Sequence, residues 1–198
     1  MCTAAIIAGG DARRFGGRDK GALAIGEARI IDREIAVLRE VADHLLIVAN
    51  DPDRYRSLGL PIVEDLVPGA GALGGIYTAI TVAPDTPTLV VACDMPFLSA
   101  RFLRHLAIAG GEVDVAIPRT AEGYEPLCAS YSPGCADPIR RRIDAGALTV
   151  LGVLSDVRVR EIGPEEIAPY DPDGTLFFNV NTPDDYARSL DVVARQRA

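Results

Sequence analysis

Lys20 is the only lysine in this 198-residue chain, and the other nineteen basic residues are arginines. An ammonium is a compact, strongly hydrated point charge, whereas a guanidinium is a wide planar fork, so a tight site can demand lysine. Lys20 closes the run Ile6-Ile7-Ala8-Gly9-Gly10-Asp11-Ala12-Arg13-Arg14-Phe15-Gly16-Gly17-Arg18-Asp19-Lys20. Two glycine pairs let backbone N–H groups turn toward a ligand and approach it closely. Arg13, Arg14, Arg18 and Lys20 face only Asp11 and Asp19 in opposition. A loop of accessible amides edged with cations suits a polyphosphate. The spacing is neither G-x-x-x-x-G-K-[ST] nor G-x-G-x-x-G, which excludes a Walker loop and a dinucleotide turn.

Further polar residues stand where apolar runs stop. Asp94 follows Thr88-Leu-Val-Val-Ala-Cys93 and precedes Met95-Pro96. A carboxylate there can hold Mg²⁺ against phosphate oxygens, or simply end a strand and cap the next helix. Asn50 follows Val48-Ala49, and its amide can read a base or ribose edge, or set a turn. Asp65 opens a glycine-rich stretch, Asp65-Leu-Val-Pro-Gly69-Ala-Gly71-Ala-Leu73-Gly74-Gly75. Its carboxylate can accept from the N1–H and amino group of guanine, or from a ribose hydroxyl. Asn179 and Asn181 flank Val180 and suit either an amide-like ligand edge or a turn. His44 and His105 read as surface or boundary residues, and Arg140-Arg141-Arg142 as a solvated helix face.

The elements that must position these groups alternate. Apolar runs at Thr3–Ala8, Leu45–Ala49, Pro61–Glu64, Thr88–Cys93 and Val113–Ile117 read as strands, with helical spacing between them. Leu127–Tyr131, Val157–Ile162 and Leu176–Val180 are further expected strands. Helices are expected over Gly74–Val82 and Pro138–Ala145, after Ser99 as a cap, and from Thr182-Pro183-Asp184-Asp185. Alternation of this kind predicts an α/β layered fold with a mainly parallel sheet, in which ligands sit at the carboxyl ends of strands.

Composition limits the partners. Twenty-eight acids against twenty bases give −8 at pH 7, which disfavours nucleic acid, since phosphate contacts need a basic surface. The sequence shows no apolar run approaching a membrane span and no signal-peptide pattern. Cys2, Cys93, Cys128 and Cys135 form no C-x-x-C pair, so a reducing, cytoplasmic setting is expected. The length fits one domain over residues 1–198.

The opening run, I-A-G-G-x-x-R-R-F-G-G-R-D-K-G, resembles the L-A-G-G-x-x-x-R-M-G-G-x-D-K-G motif of the molybdenum cofactor guanylyltransferases. The likeness continues at Cys93-Asp94-Met95-Pro96, Glu125-Pro126-Leu127 and Asn179-Val180-Asn181-Thr182-Pro183. It implies a three-layer, Rossmann-like nucleotide-diphospho-sugar transferase fold, with a GTP site in the N-terminal part and the acceptor side in the C-terminal part. It further implies GTP and molybdopterin, or molybdenum-molybdopterin, as substrates and Mg²⁺ as cofactor, with contact to cofactor-delivery proteins or a second copy. Carried onto this chain, the nucleotide contacts fall on Ile7, Ala8, Gly9, Gly10, Lys20, Asn50, Asp65 and Asp94. Catalysis falls on Arg14, Lys20 and Asp94, the metal on Asp94, and the acceptor on Asn179 and Asn181. Ala72 stands where the family's G-P-L-A-G has proline, and Gly9-Gly10 replaces the Ala-Gly of cytidylyl relatives, which points to guanine. The alternatives are a cytidylyl or sugar-phosphate nucleotidyltransferase and a non-catalytic nucleotide binder. A glycosyltransferase of similar layering would carry D-x-D where this chain has C-D-M-P.

Overall fold

In a computed structural model of the protein, residues 2–8, 20–83 and 85–196 are described. The motif residues Gly9, Gly10, Arg13, Arg14, Gly16, Gly17 and Arg18 lie outside them.

Among the described residues, nine strands and six α-helices follow one another: β1 (Thr3–Ile7), β2 (Ala24–Ile25), β3 (Ala28–Arg29), α1 (Ile30–Arg39), β4 (His44–Val48), β5 (Ile62–Val63), α2 (Gly71–Val82), β6 (Thr88–Ala92), α3 (Ala100–Gly110), β7 (Val115–Pro118), β8 (Cys128–Tyr131), α4 (Ala136–Asp144), β9 (Val159–Ile162), α5 (Pro164–Ile167) and α6 (Pro183–Gln196). The main sheet runs β5-β4-β1-β6-β8-β7-β9. β5, β4, β1 and β6 are mutually parallel, β8 is antiparallel to β6 and β7, and β9 is parallel to β7. The mainly parallel sheet is as expected.

β1 explains the layering. Its five residues are all buried, as a strand covered on both faces requires. Successive side chains point to opposite faces. Ala4 and Ile6 join α1 (Ile31, Ile35, Leu38) and α3 (Phe102, Leu103, Leu106) in one core. Ala5 and Ile7 join α2 (Leu73, Ile76, Ile80) and α4 (Ile139, Ile143) in the other. Helices thus cover both faces of the sheet, giving three layers. α2 comes unusually close to β1: a Cβ on Gly75 would lie 2.8 Å from Ile7 Cγ2. Ser99 caps α3 as expected, its Oγ accepting from Phe102 N–H at 3.4 Å.

A third, small core lies apart from these. Ile25, Ile30, Val180 and Val193 pack together with Leu23, Phe97, Phe178 and Tyr186 beside them. The β2–β3 hairpin follows Lys20 directly, and α6 follows Asn181 directly, so this core clasps early and late parts of the chain. Tyr186 Oη donates to the Ala24 carbonyl at 2.6 Å.

One expected strand is absent. Residues 176–180 form turns and irregular backbone instead of a ladder. Asp171 Oδ1 accepts from Thr175 N–H at 2.8 Å and Leu176 N–H at 3.0 Å, and Phe178 N–H donates to Thr175 O at 3.0 Å. Local acceptors thereby take the donors that a neighbouring strand would need. The segment is apolar because it wedges aromatics into the core: Phe177 meets Phe102 at 5.5 Å and Phe178 meets Phe97 at 5.9 Å between ring centroids.

Candidate active site

Register brings the strand-end residues to one level. Ile7 pairs with Val48 and Ala92, and Val48 pairs with Val63. Asn50, Asp65 and Asp94 each stand two residues beyond those paired positions, at the carboxyl edge of the parallel strands. From β5 to β6 is three inter-strand steps, roughly 14 Å. That span suits a nucleoside triphosphate laid across the edge, with its base at one end and its phosphates at the other.

At the β6 end, Lys20 Nζ donates to Asp94 Oδ2 at 3.3 Å and makes a close hydrogen bond to Asn181 Oδ1. These residues are 74 and 161 positions from Lys20 in sequence. An ammonium carries three N–H donors, and Asp94 and Asn181 account for two of them. The lysine is thus aimed by one carboxylate and one amide. Burial pushes the Asp94 carboxyl above its ordinary value, and the positive charge and hydrogen bond of Lys20 pull the other way. Burial is the larger cause.

Asp94 also bears on the implied Mg²⁺. Its second oxygen, Oδ1, is buried and has no hydrogen-bond partner among the described residues. A buried carboxylate oxygen without a partner costs free energy that a bound cation would offset. The described residues contain no group of three or more His, Cys, Asp or Glu side chains able to cage a metal. One carboxylate completed by substrate phosphates and water is an ordinary Mg²⁺ donor set. The residues fit the ion.

The loop after Asp94 is fixed from two sides. Glu34 Oε1 accepts from Met95 N–H at 2.8 Å, and the Asp94 carbonyl accepts from Val180 N–H at 2.9 Å. Sequence reading passed over Glu34, although it left a signal. Glu34 falls between Ile31 and Ile35 on the apolar stripe of α1 and is 1% exposed. A carboxylate on a core-facing stripe must be holding something.

At the β5 end, Asn50 and Asp65 are paired. Asn50 Nδ2 donates to Asp65 Oδ2 at 2.7 Å, and Asp65 N–H donates to Asn50 Oδ1 at 3.0 Å. The two were read as separate ligand contacts, but they form one unit in which Asn50 orients Asp65. Asp65 Oδ1 takes no hydrogen bond from the described residues, so it remains an acceptor for a ligand donor.

Ile7 and Ala8 sit at the end of β1. Ala8 N–H is taken by Val48 O at 2.9 Å, so a polar contact at Ala8 falls to its carbonyl. The Ile7 side chain is 6% exposed and packs under Gly75. Asn179 is set apart from Asn181: its Nδ2 donates to Phe177 O at 2.9 Å, and it lines a cavity of about 600 Å³. Asn181, expected on the acceptor side, accepts from Lys20 Nζ. Thr182 and Asp185 fix its backbone. Asp185 Oδ2 accepts from Asn181 N–H at 3.1 Å and Thr182 N–H at 2.9 Å, and Thr182 Oγ1 accepts from Asp185 N–H at 3.1 Å. This reciprocal cap starts α6.

The histidines and the arginine run of α4 take no part in these contacts. His105 Nε2 meets Glu166 at 2.5 Å, and Arg140 and Arg142 pair with Asp144 at 2.9 Å and Asp156 at 2.6 Å. His44 is exposed. No helix among the described residues is long and apolar enough to cross a membrane.

Residues 4–158 match the MobA-like NTP transferase domain. The molybdenum cofactor guanylyltransferase of Desulfosudis oleivorans is 35% identical over 190 residues, covering 94% of this chain and 93% of that protein. The crystal structure of molybdopterin-guanine dinucleotide biosynthesis protein A from Archaeoglobus fulgidus superimposes with a TM-score of 0.85 at 28% identity, over 98% of this chain and 99% of that one. The 2-C-methyl-D-erythritol 4-phosphate cytidylyltransferase of Thermus thermophilus shares the fold, with a TM-score of 0.67 at 15% identity over 96% of this chain and 98% of that one. With a nucleotidyltransferase architecture, a family match over most of its length and a near full-length relative, the chain belongs to the molybdenum cofactor guanylyltransferase family.

Proposed function

We propose that the protein transfers GMP from GTP to molybdopterin or its molybdenum form, giving the guanine dinucleotide cofactor and pyrophosphate. The arrangement that carries this reading is Lys20 held between Asp94 and Asn181 at the carboxyl edge of the sheet. The Asn50–Asp65 pair stands on the same edge. One nucleotidyltransferase domain over residues 1–198 would present GTP from its N-terminal part and the acceptor from its C-terminal part.

In the reaction, a terminal phosphate oxygen of the acceptor attacks the α-phosphorus of GTP. The bond to the β-phosphate oxygen breaks, and pyrophosphate leaves with that electron pair. The nucleophile is already anionic, so no strong general base is needed. The obstacle is repulsion between two polyanions, and catalysis consists of positioning and charge neutralisation. Lys20 is assigned to the α-phosphate, where its direction is set by Asn181. Arg14 is assigned to the departing pyrophosphate. Asp94, through its otherwise unpartnered Oδ1, would hold Mg²⁺, which when bound neutralises phosphate charge. Asp65 Oδ1, with Asn50 behind it, would accept from the donor edge of guanine.

The direct test supplies purified protein with molybdopterin, magnesium and each nucleoside triphosphate in turn. The expected product, identified by mass, is the guanine dinucleotide from GTP alone. A cytosine dinucleotide from CTP would move the enzyme to the cytidylyl branch, and transfer to a sugar phosphate would replace the acceptor. Absence of pyrophosphate release with every pair would leave only a nucleotide-binding role.

A further inference from the structure

Glu125 has a carboxylate that the reaction above does not use. It lines the cavity of about 600 Å³ that also contains Asn179. Among the described residues its side chain takes no hydrogen bond. Burial and the nearby charge of Glu122 raise its pKa to about 7. An ionisable oxygen pair half withdrawn from water, with no donor facing it, is costly unless a ligand supplies donors.

The rest of the cavity narrows what that ligand is. Its carboxylates are Glu122, Glu125, Asp171 and Asp185, against Arg188 as the one cation among the residues lining it. Such a lining repels phosphate. Asp171 and Asp185 are engaged by backbone N–H groups, which leaves Glu125 as the recessed acceptor. Ile167 and Phe177 add apolar wall. The space therefore suits a flat, uncharged ring system with N–H donors on one edge. It also adjoins the reacting centre: Asn179 lines it, and Asn181, two residues on, holds Lys20.

From this arrangement we infer that Glu125 is a specificity-determining residue, accepting paired N–H donors from the acceptor's nitrogen heterocycle while the acceptor's phosphate lies toward Lys20. This deepens the proposed function and rests on it, because that reading supplies the pterin. The 2-amino group and ring N3–H of a pterin are adjacent donors, and a carboxylate can accept both. Asn179 lines the same cavity, and with its Nδ2 donating to Phe177 O its amide oxygen is the atom that would accept from the ring. The acidic wall would then orient the acceptor, since reversing it would put phosphate against carboxylates.

The test separates this claim from the reaction itself. Free pterin and lumazine, which carries a second carbonyl in place of the amino group, are titrated against the protein by fluorescence. The wild type is expected to bind pterin about tenfold or more tightly than lumazine, and Glu125→Gln to bring that ratio below about threefold. In the transfer assay, Glu125→Gln is expected to raise the KM for molybdopterin about tenfold and leave the KM for GTP within about twofold. Failure of the wild type to bind pterin, lack of preference for it, or a preference that survives in Glu125→Gln overturns the inference. If the preference depends on Glu125 but no dinucleotide forms with any nucleotide, the heterocycle site stands and the transfer reading falls.

Discussion

Lys20 is held in place before any substrate arrives, and that has consequences for its replacement. Asp94 and Asn181 point its ammonium at one spot, so Lys20→Ala removes a preorganised charge and not a loose surface cation. A donor of this kind is worth about 10²- to 10³-fold in rate. The expected result is a folded protein whose kcat/KM for GTP falls by about that factor, read by pyrophosphate release. Full activity in Lys20→Ala would remove the basis of the proposed function. Asp94→Asn keeps the shape and hydrogen-bonding capacity but loses the charge. Millimolar magnesium should raise the melting temperature of the wild type in the presence of GTP and leave that of Asp94→Asn much less changed. Glu125 gives the pH dependence. Its pKa is raised to about 7, so the native state holds more protons than the unfolded one from the ordinary carboxylate range up to that value. Stability from this group is therefore complete at low pH and declines as pH rises through about 7. The melting temperature of Glu125→Gln minus that of the wild type should grow from about pH 5 to about pH 8 and then level off.

At the scale of elements, the strands were legible because their chemistry is local. Thr3–Ile7 and Thr88–Ala92 are unbroken apolar runs, which a strand covered on both faces requires. Residues 176–180 were misread for a related reason: Leu176, Phe177 and Phe178 are apolar enough for a strand, while the donors that Asp171 captures cannot be seen in the pattern. Asp94 was legible as a strand-end acid. The Asn50–Asp65 pair was not, because their contact depends on β4 and β5 lying side by side. The same holds for Asn181, whose partner lies 161 residues away. Gly75 shows a constraint hidden in the glycine-rich stretch after Asp65. Ile7 Cγ2 would sit 2.8 Å from an added Cβ. That methyl is fixed close to the β1 backbone, so Gly75→Ala must push α2 away from the sheet. Overpacking of this kind costs about 1–3 kcal/mol, measurable by denaturant unfolding. A neutral or stabilising effect would mean that α2 and β1 are less closely packed than described.

On the scale of the whole molecule, Lys20 and Asn181 stand next to the clasp between the β2–β3 hairpin and α6. Lys20 enters the hairpin and Asn181 enters the helix, so the Lys20–Asn181 contact can persist only while these two elements stay together. Their small core of Ile25, Ile30, Val180 and Val193 is separate from the two large cores that stabilise the sheet. A satellite core with few members is the part of a protein expected to open locally at the lowest free energy. Val193→Ala removes apolar volume from it at a cost of about 2 kcal/mol. That loss should appear first as local opening rather than global unfolding. Amide hydrogen exchange is expected to accelerate together in residues 23–30 and 180–196 and to stay unchanged in β1 and β6, while GTP turnover falls as Lys20 loses its second anchor. Acceleration spread evenly over the sheet would show that the clasp is not a separate unit, and unchanged turnover despite local opening would show that Asn181 does not aim the lysine.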